Sequence, residues 1–263
     1  MRVKGYLESH GVEFDAVNLM DNPAAQAEMR SRGIRALPVV TVGDRHVLGF
    51  DLNQIDAALG LKKSSTDIAA AELVARAQRL LAAAVRFARQ LPPAKYGTPI
   101  PGMEDAKPPF IIPGGHVLVL PDGRPYVPHA TNLALFRHII AHGSKFRRFL
   151  RLEATDYAHM GLYAQYGELL PELGLDALCA QVESDRAAIA DWWASRAARG
   201  TETVLETWMG QQTVRQMLQR EVYSLAQHTR QLQAVLQDLG IAPDGPVDPA
   251  DNAGLNLPAR TWD

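Results

Sequence analysis

The chain has 263 residues, 47% of them hydrophobic and 21% charged, with a net charge of −2. This is globular composition, which excludes a wholly disordered chain, and at roughly 100–200 residues per domain it favours two domains. A pI near 6.4 leaves no basic excess for nucleic acid, and no apolar run of about 18 residues is present to span a membrane.

Cys179 is the single cysteine. It excludes an intramolecular disulfide and any Cys-x-x-Cys redox or zinc motif within these residues. No apolar stretch of a signal peptide follows Met1-Arg2-Val3-Lys4-Gly5, so the expected compartment is a reducing, bacterial-style cytoplasm.

Residues 1–61 read as a compact α/β unit. Val3, Tyr6 and Leu7 form a short helical stripe that Gly11 stops. Glu13–Leu19 alternates polar and apolar residues, as a strand does. Asp21-Asn22-Pro23 starts a helix that runs to about Arg32, and Gly33 closes it. Leu37–Val42 is β-branched and strand-like, Gly43-Asp44 makes a tight turn, and His46–Phe50 returns. Asp51 caps a last helix through Leu59, giving the order α-β-α-β-β-α. Residues 62–66, Lys-Lys-Ser-Ser-Thr, are polar and lack periodicity, as expected of a linker.

From 67 to 263 the pattern becomes helical. Asp67 to about Leu91 is amphipathic, with Leu73, Ala77, Leu80, Leu81, Ala84 and Ala88 on one face. Arg76, Arg79, Arg86 and Arg89 fall largely on the other. Residues 92–128 carry ten prolines, which no long helix accommodates. Val117–Leu120, Pro121-Asp122-Gly123 and Arg124–Val127 suggest a small hairpin inside this insertion. Helical pattern resumes at Thr131–Arg151, Tyr157–Leu169, Leu175–Ala198 and Thr213–Leu239. The last 24 residues hold four prolines and read as an irregular tail. The expected architecture is an incomplete α/β unit followed by an all-α antiparallel bundle of four main helices.

Three segments carry a first resemblance: Val3-Lys4-Gly5-Tyr6-Leu7 with Gly11–Phe14, then Arg35–Val40, then Gly49-Phe50-Asp51. Residues 1–61 resemble the glutaredoxin and thioredoxin-like family. The resemblance implies a cis peptide before Pro38 and a glutathione-site-like region at Leu37, Pro38, Gly49 and Asp51. Members of that family begin with a strand and a Cys-x-x-Cys ahead of the helix that corresponds to Val3–His10. Neither precedes that helix here, and redox chemistry needs a thiolate. Two readings stay open: a structural relic, or a true start upstream of Met1.

Ser224–Leu232, Leu239-Gly240-Ile241, Gly254–Pro258 and Leu135–Ile139 carry a second resemblance. Residues 67–263 resemble the DinB/YfiT-like helical-bundle family. That resemblance implies a divalent metal, zinc or nickel, between helices on three histidines. One comes from the helix of Thr131–Arg151, and two come as a His-x-x-x-His pair on the last helix. Residues at i and i+4 share a helical face, so both imidazoles reach one ion. His138 and His228 match the family positions, and Ser224 stands where the remaining histidine belongs. His142, one turn after His138, offers a transposed triad of His138, His142 and His228, against the plainer reading of a boundary histidine.

The remaining candidates read as structural. His10, His46, His116 and His129 sit at turns or in the proline-rich connection, and His159 is peripheral. Cys179 reads as a small core thiol, and Trp192, Trp193 and Trp208 as packing. Arg230 reads as an ordering charge.

The family includes metal-dependent enzymes that attach low-molecular-weight thiols to electrophiles, and a branch that isomerises maleylpyruvate. Two functions therefore compete. One is a metal-binding, thiol-linked detoxification or stress protein, S-transferase-like or isomerase-like, with a small-molecule thiol or electrophile as partner and a homodimer as its assembly. The other is a non-catalytic binding or scaffold protein that has lost both chemistries.

Overall fold

A computed structural model describes residues 2–17, 19, 22–34, 39–48, 52–61, 68–101, 111–112, 116–117, 131–140, 173–196, 201–207, 210–255, 257 and 261–262. Its regular structure is mostly helical, with three small two-stranded sheets.

The first segment folds close to its pattern. Helix α1 spans Arg2–Ser9, and Gly11 follows it at φ 66°. Helix α2 spans Pro23–Ser31, with Asn22 as N-cap accepting from the Ala25 amide and proline in the first turn. Strands β1 (Val39–Val42) and β2 (Arg45–Leu48) form an antiparallel hairpin with Val39 opposite Leu48. Helix α3 covers Leu52–Leu59. Tyr6, Leu7, Val47 and Ile55 make a small core of their own. The Tyr6 hydroxyl donates to the buried Asp56 carboxylate, which ties α1 to α3.

The strand expected at Glu13–Leu19 is not formed: residues 12–17 have no regular structure. An extended segment needs a neighbour for its N–H and C=O groups, and no described strand pairs with this one. Leu37, Pro38, Gly49 and Asp51 lie outside the described residues, as does the 62–66 linker.

The larger core is helical. Helix α4 spans Ala70–Gln90, α5 covers 132–140, α6 is Leu175–Arg196, and α7 is Val214–Asp238. All four feed one apolar cluster, in which Leu80, Phe87, Leu135, Phe136, Leu178 and Leu225 are wholly buried. Among the described residues, no helix is long and apolar enough to cross a membrane. A hairpin that was not expected, β3 (Ile111–Ile112) with β4 (His116–Val117), lies in the proline-rich segment; the one expected over Val117–Val127 lies, but for Val117, outside the described residues. The helix expected at Tyr157–Leu169 lies outside them too. A further hairpin, unanticipated, joins β5 (Val204–Thr207) to β6 (Gly210–Thr213) just before α7.

Helices α4 and α7 run parallel, not antiparallel. The Gln90 amide, at the end of α4, donates to Ala242 O at 2.9 Å, and α7 ends at Asp238 with Leu239 as its C-cap. Three residues beyond Leu239 span at most about 11 Å, whereas a helix the length of α4 is about 30 Å long. The two C-terminal ends therefore lie together.

The tail then runs back along α4. Gln90 and the Asp244 amide exchange a bond at 2.8 Å. Arg86 donates to Asp244 O and Gly245 O, Arg79 pairs with Asp251 at 2.7 Å, and Arg76 donates to Asp251 O and Ala253 O. The tail thus docks on the polar face of α4, where Arg76 is buried and Arg79 stays half-exposed. A short helix, α8 (Pro249–Asn252), lies within this tail.

Two outcomes follow. Hydrogen bonding from Arg76 holds the Glu72 carboxyl below its ordinary 4.5, against partial desolvation and with further help from Arg79. A lowered carboxylate pKa adds stability above about pH 4.5 that is lost as the pH falls through the folded value. Glu72→Gln should flatten the acid limb of a melting-temperature profile by a small amount, since Glu72 is partly exposed. Gly245 stands at φ 61° with Arg86 Nη2 3.4 Å from where a Cβ would sit. Gly245→Ala should therefore cost about 1 kcal/mol or more in urea unfolding.

Candidate functional site

Helix α7 begins with a full capping box: Thr213 accepts from the Gln216 amide, and the Gln216 side chain accepts from the Thr213 amide. This fixes where the helix starts and so which residues face inward. Met217, Leu218, Val222, Leu225, Leu232 and Val235 supply apolar packing. Interleaved with them, Glu221, Ser224, Gln227, His228 and Gln231 are all buried, at 0–8% exposure. They recur at three- and four-residue steps, which places them along one side of the helix.

His138 comes from α5. That helix is pinned to the end of α4 through the Pro93–Lys95 turn: Asn132 donates its amide to Thr98 O and its side chain to Lys95 O, and the Leu133 amide reaches Tyr96 O. Arg137 donates to Leu173 O at the start of α6. So anchored, α5 carries His138 against His228, with ring centroids 4.5 Å apart and planes at 85°. The imidazoles are 4% and 5% exposed. His228 Nδ1 lies 2.7 Å from Gln231 Oε1.

Two imidazoles on one tetrahedral ion at about 2.0–2.1 Å per Zn–N bond place their ring centres roughly 5 Å apart; this pair, edge to face at 4.5 Å, is the half of such a site that the described residues bring together. The other half does not assemble among the described residues, where no group of three or more His, Cys, Asp and Glu side chains stands close enough to hold an ion. Ser224 is buried one turn before His228, and its hydroxyl is a weak ligand beside imidazole. His142 lies outside the described residues.

The other candidates fall as follows. His10 and His46 are exposed, and the His10 ring lies 4.3 Å from Tyr6. His116 is in β4, with a side chain outside the described set, and His129, His159 and Trp208 are outside it altogether. Trp192 and Trp193 stack at 5.9 Å against the main core. Arg230 is half-buried.

Cys179 is 1% exposed. Burial pushes its thiol above the ordinary value of 9.0, only partly offset by Arg89, which is the opposite of what a nucleophile needs. Glu221, Gln227 and Gln231 were not singled out by sequence. The signal was present as polar residues on the inward stripe of an otherwise apolar helical face.

Comparison with known proteins bears on the first segment. Residues 1–47 match the glutaredoxin family model, which links that segment to thiol and redox biology. No curated protein and no solved structure matches the chain.

Cys179 should resist a thiol reagent in the native protein and react with the kinetics of unfolding. Labelling in rising urea measures this, and rapid native labelling would contradict the burial argument.

Proposed function

We propose that this chain is a thiol-linked helical-bundle protein of DinB/YfiT-like type, with His138 and His228 as two donors to a divalent metal. The observation that carries this reading is the buried pair of imidazoles 4.5 Å apart inside an apolar core. An imidazole pair between helices supplies two of the three protein donors that a zinc or nickel site with an open position needs. The glutaredoxin match over residues 1–47 supports the thiol link.

When bound, a divalent ion would supply Lewis acidity that lowers the pKa of a coordinated thiol. The chain's own residues would do the rest. His138 and His228 hold the site between two helices, the surrounding leucines exclude water, and Gln231 orients His228.

A second reading, a non-catalytic binding or scaffold protein, is favoured by Ser224 at the position of the third imidazole. Metal content of protein purified without an affinity tag separates the two. About one equivalent per chain supports the metal reading, and none supports the scaffold.

Ser224→His sharpens this test. The substitution places an imidazole one turn before His228 and completes the i, i+4 pair that the resemblance implies. A ligand that binds only the folded state raises stability, by about 2.7 kcal/mol at a hundredfold excess over its Kd. The variant should therefore gain zinc- or nickel-dependent thermal stability that the natural sequence lacks or shows weakly. Equal metal responses in the two proteins call for His142→Ala in the natural sequence: loss of the response would assign His142 as third ligand, and absence of any response in both proteins would end the metal reading.

A further inference from the structure

The C-terminal tail does not stop at α4. It passes Leu255, 2% exposed, and reaches Thr261 and Trp262 beside the core. There the Thr261 main-chain carbonyl accepts two hydrogen bonds, from Gln227 Nε2 and from Gln231 Nε2, each at 3.1 Å. A carbonyl oxygen only accepts. Each glutamine therefore turns its amide nitrogen to the tail and keeps its Oε1 for the interior, which settles an orientation that is otherwise ambiguous.

The consequence for His228 is direct. Gln231 Oε1 stands 2.7 Å from His228 Nδ1. An amide oxygen cannot donate, so Nδ1 carries the hydrogen. A neutral imidazole has one N–H, so Nε2 keeps its lone pair. The same carbonyl leaves Gln227 Oε1 buried with no hydrogen-bond partner. One tail carbonyl thus sets two acceptors on the inner face of α7.

We propose that the C-terminal tail is a working part of the bundle interior, and that Gln231 is a positioning residue that locks His228 in the Nδ1–H tautomer. Gln227 Oε1 is thereby left on the inner face as an acceptor, which suits a ligand that brings an N–H, O–H or S–H donor. Use of the Nε2 lone pair by a divalent metal rests on the function proposed above; the tautomer does not. A tail that merely covers the core would need no such orientation, since its α4 contacts and Trp262 already hold it.

The test uses full-length, metal-free protein labelled with nitrogen-15 at histidine, at a pH where the imidazole is neutral. Long-range proton–nitrogen correlation reports which ring nitrogen carries hydrogen, and comparison with His228→Gln assigns the signals. In the natural sequence the Nδ1–H form of His228 should exceed the Nε2–H form about tenfold, the ratio one net hydrogen bond sets. Gln231→Leu should abolish that excess. Gln231→Glu, which keeps an acceptor, should retain it, and Gln227→Leu should leave it unchanged. Zinc titrated into the same proteins should bind Gln231→Leu about 10–100-fold more weakly than the natural sequence.

A predominantly Nε2–H His228 in the natural sequence overturns the proposal without any variant having to fold. So does an unchanged tautomer ratio in Gln231→Leu. If the tautomers behave as expected and the natural sequence binds no zinc, the positioning role stands and the metal reading falls.

Discussion

A row of polar side chains inside an apolar helical core has to be satisfied, and the C-terminal tail is what satisfies part of it. Gln227 and Gln231 spend their donors on one main-chain carbonyl, Thr261 O. That oxygen arrives there only because the preceding chain is seated on α4 by Arg76, Arg79, Arg86 and Gln90. The arginines satisfy tail carbonyls that no secondary structure takes. The parallel setting of α4 and α7 follows the same logic, since the tail leaves the end of α7 beside the end of α4 and runs back along it.

Much of this was legible in the sequence where a period was long. Helices α4, α6 and α7 follow from the recurrence of leucine, alanine and valine over six or more turns, and Thr213 sits at the expected start of α7. What failed was relational. The direction of α7 against α4 is read from which ends meet, Gln90 with Ala242, and no local period reports direction. The arginines of α4 were read as lying on the face opposite the apolar stripe; Arg76, Arg79 and Arg86 meet a tail 158–177 residues away in sequence, beyond the reach of local periodicity. Glu13–Leu19 alternates correctly for a strand but lacks a neighbour, and pattern without a partner gives no ladder. The hairpin of Val204–Thr207 with Gly210–Thr213 was missed although it carries β-branched residues and a glycine at its turn.

The site divides in the same way. His138 and His228 were found by resemblance, and their approach to 4.5 Å could not be read from spacing, because they lie ninety residues apart on different helices. Ser224 was noticed for what it lacks. Glu221, Gln227 and Gln231 were passed over because glutamine and glutamate are ordinary on a helix surface; they become informative only when the apolar stripe is drawn first and the polar residues inside it are counted. In the first segment the balance is different. The glutaredoxin match over residues 1–47 and the small core of Tyr6, Leu7, Val47 and Ile55 preserve packing, whereas the sequence contains no cysteine there to carry thiol chemistry.

The buried stripe also bears on the choice between a ligand-binding bundle and an inert scaffold. A core position filled by leucine contributes roughly 1.5–3 kcal/mol, while a buried polar group left without a partner costs about 1–3 kcal/mol. Glu221, Ser224, Gln227, His228 and Gln231 occupy five such positions on α7 at 0–8% exposure, and His138 faces them from α5. If stability alone shaped this face, apolar side chains of similar volume would serve it better, as they do in many buried ion pairs. Polar groups at that depth instead specify geometry: they orient one another, exclude alternative packings and offer lone pairs in a medium where each interaction is strong. Much of the stripe is satisfied within the fold: Thr261 O meets the donors of Gln227 and Gln231, and Gln231 Oε1 meets His228 Nδ1. The choice between the two readings therefore turns on Gln227 Oε1, a buried acceptor without a hydrogen-bond partner.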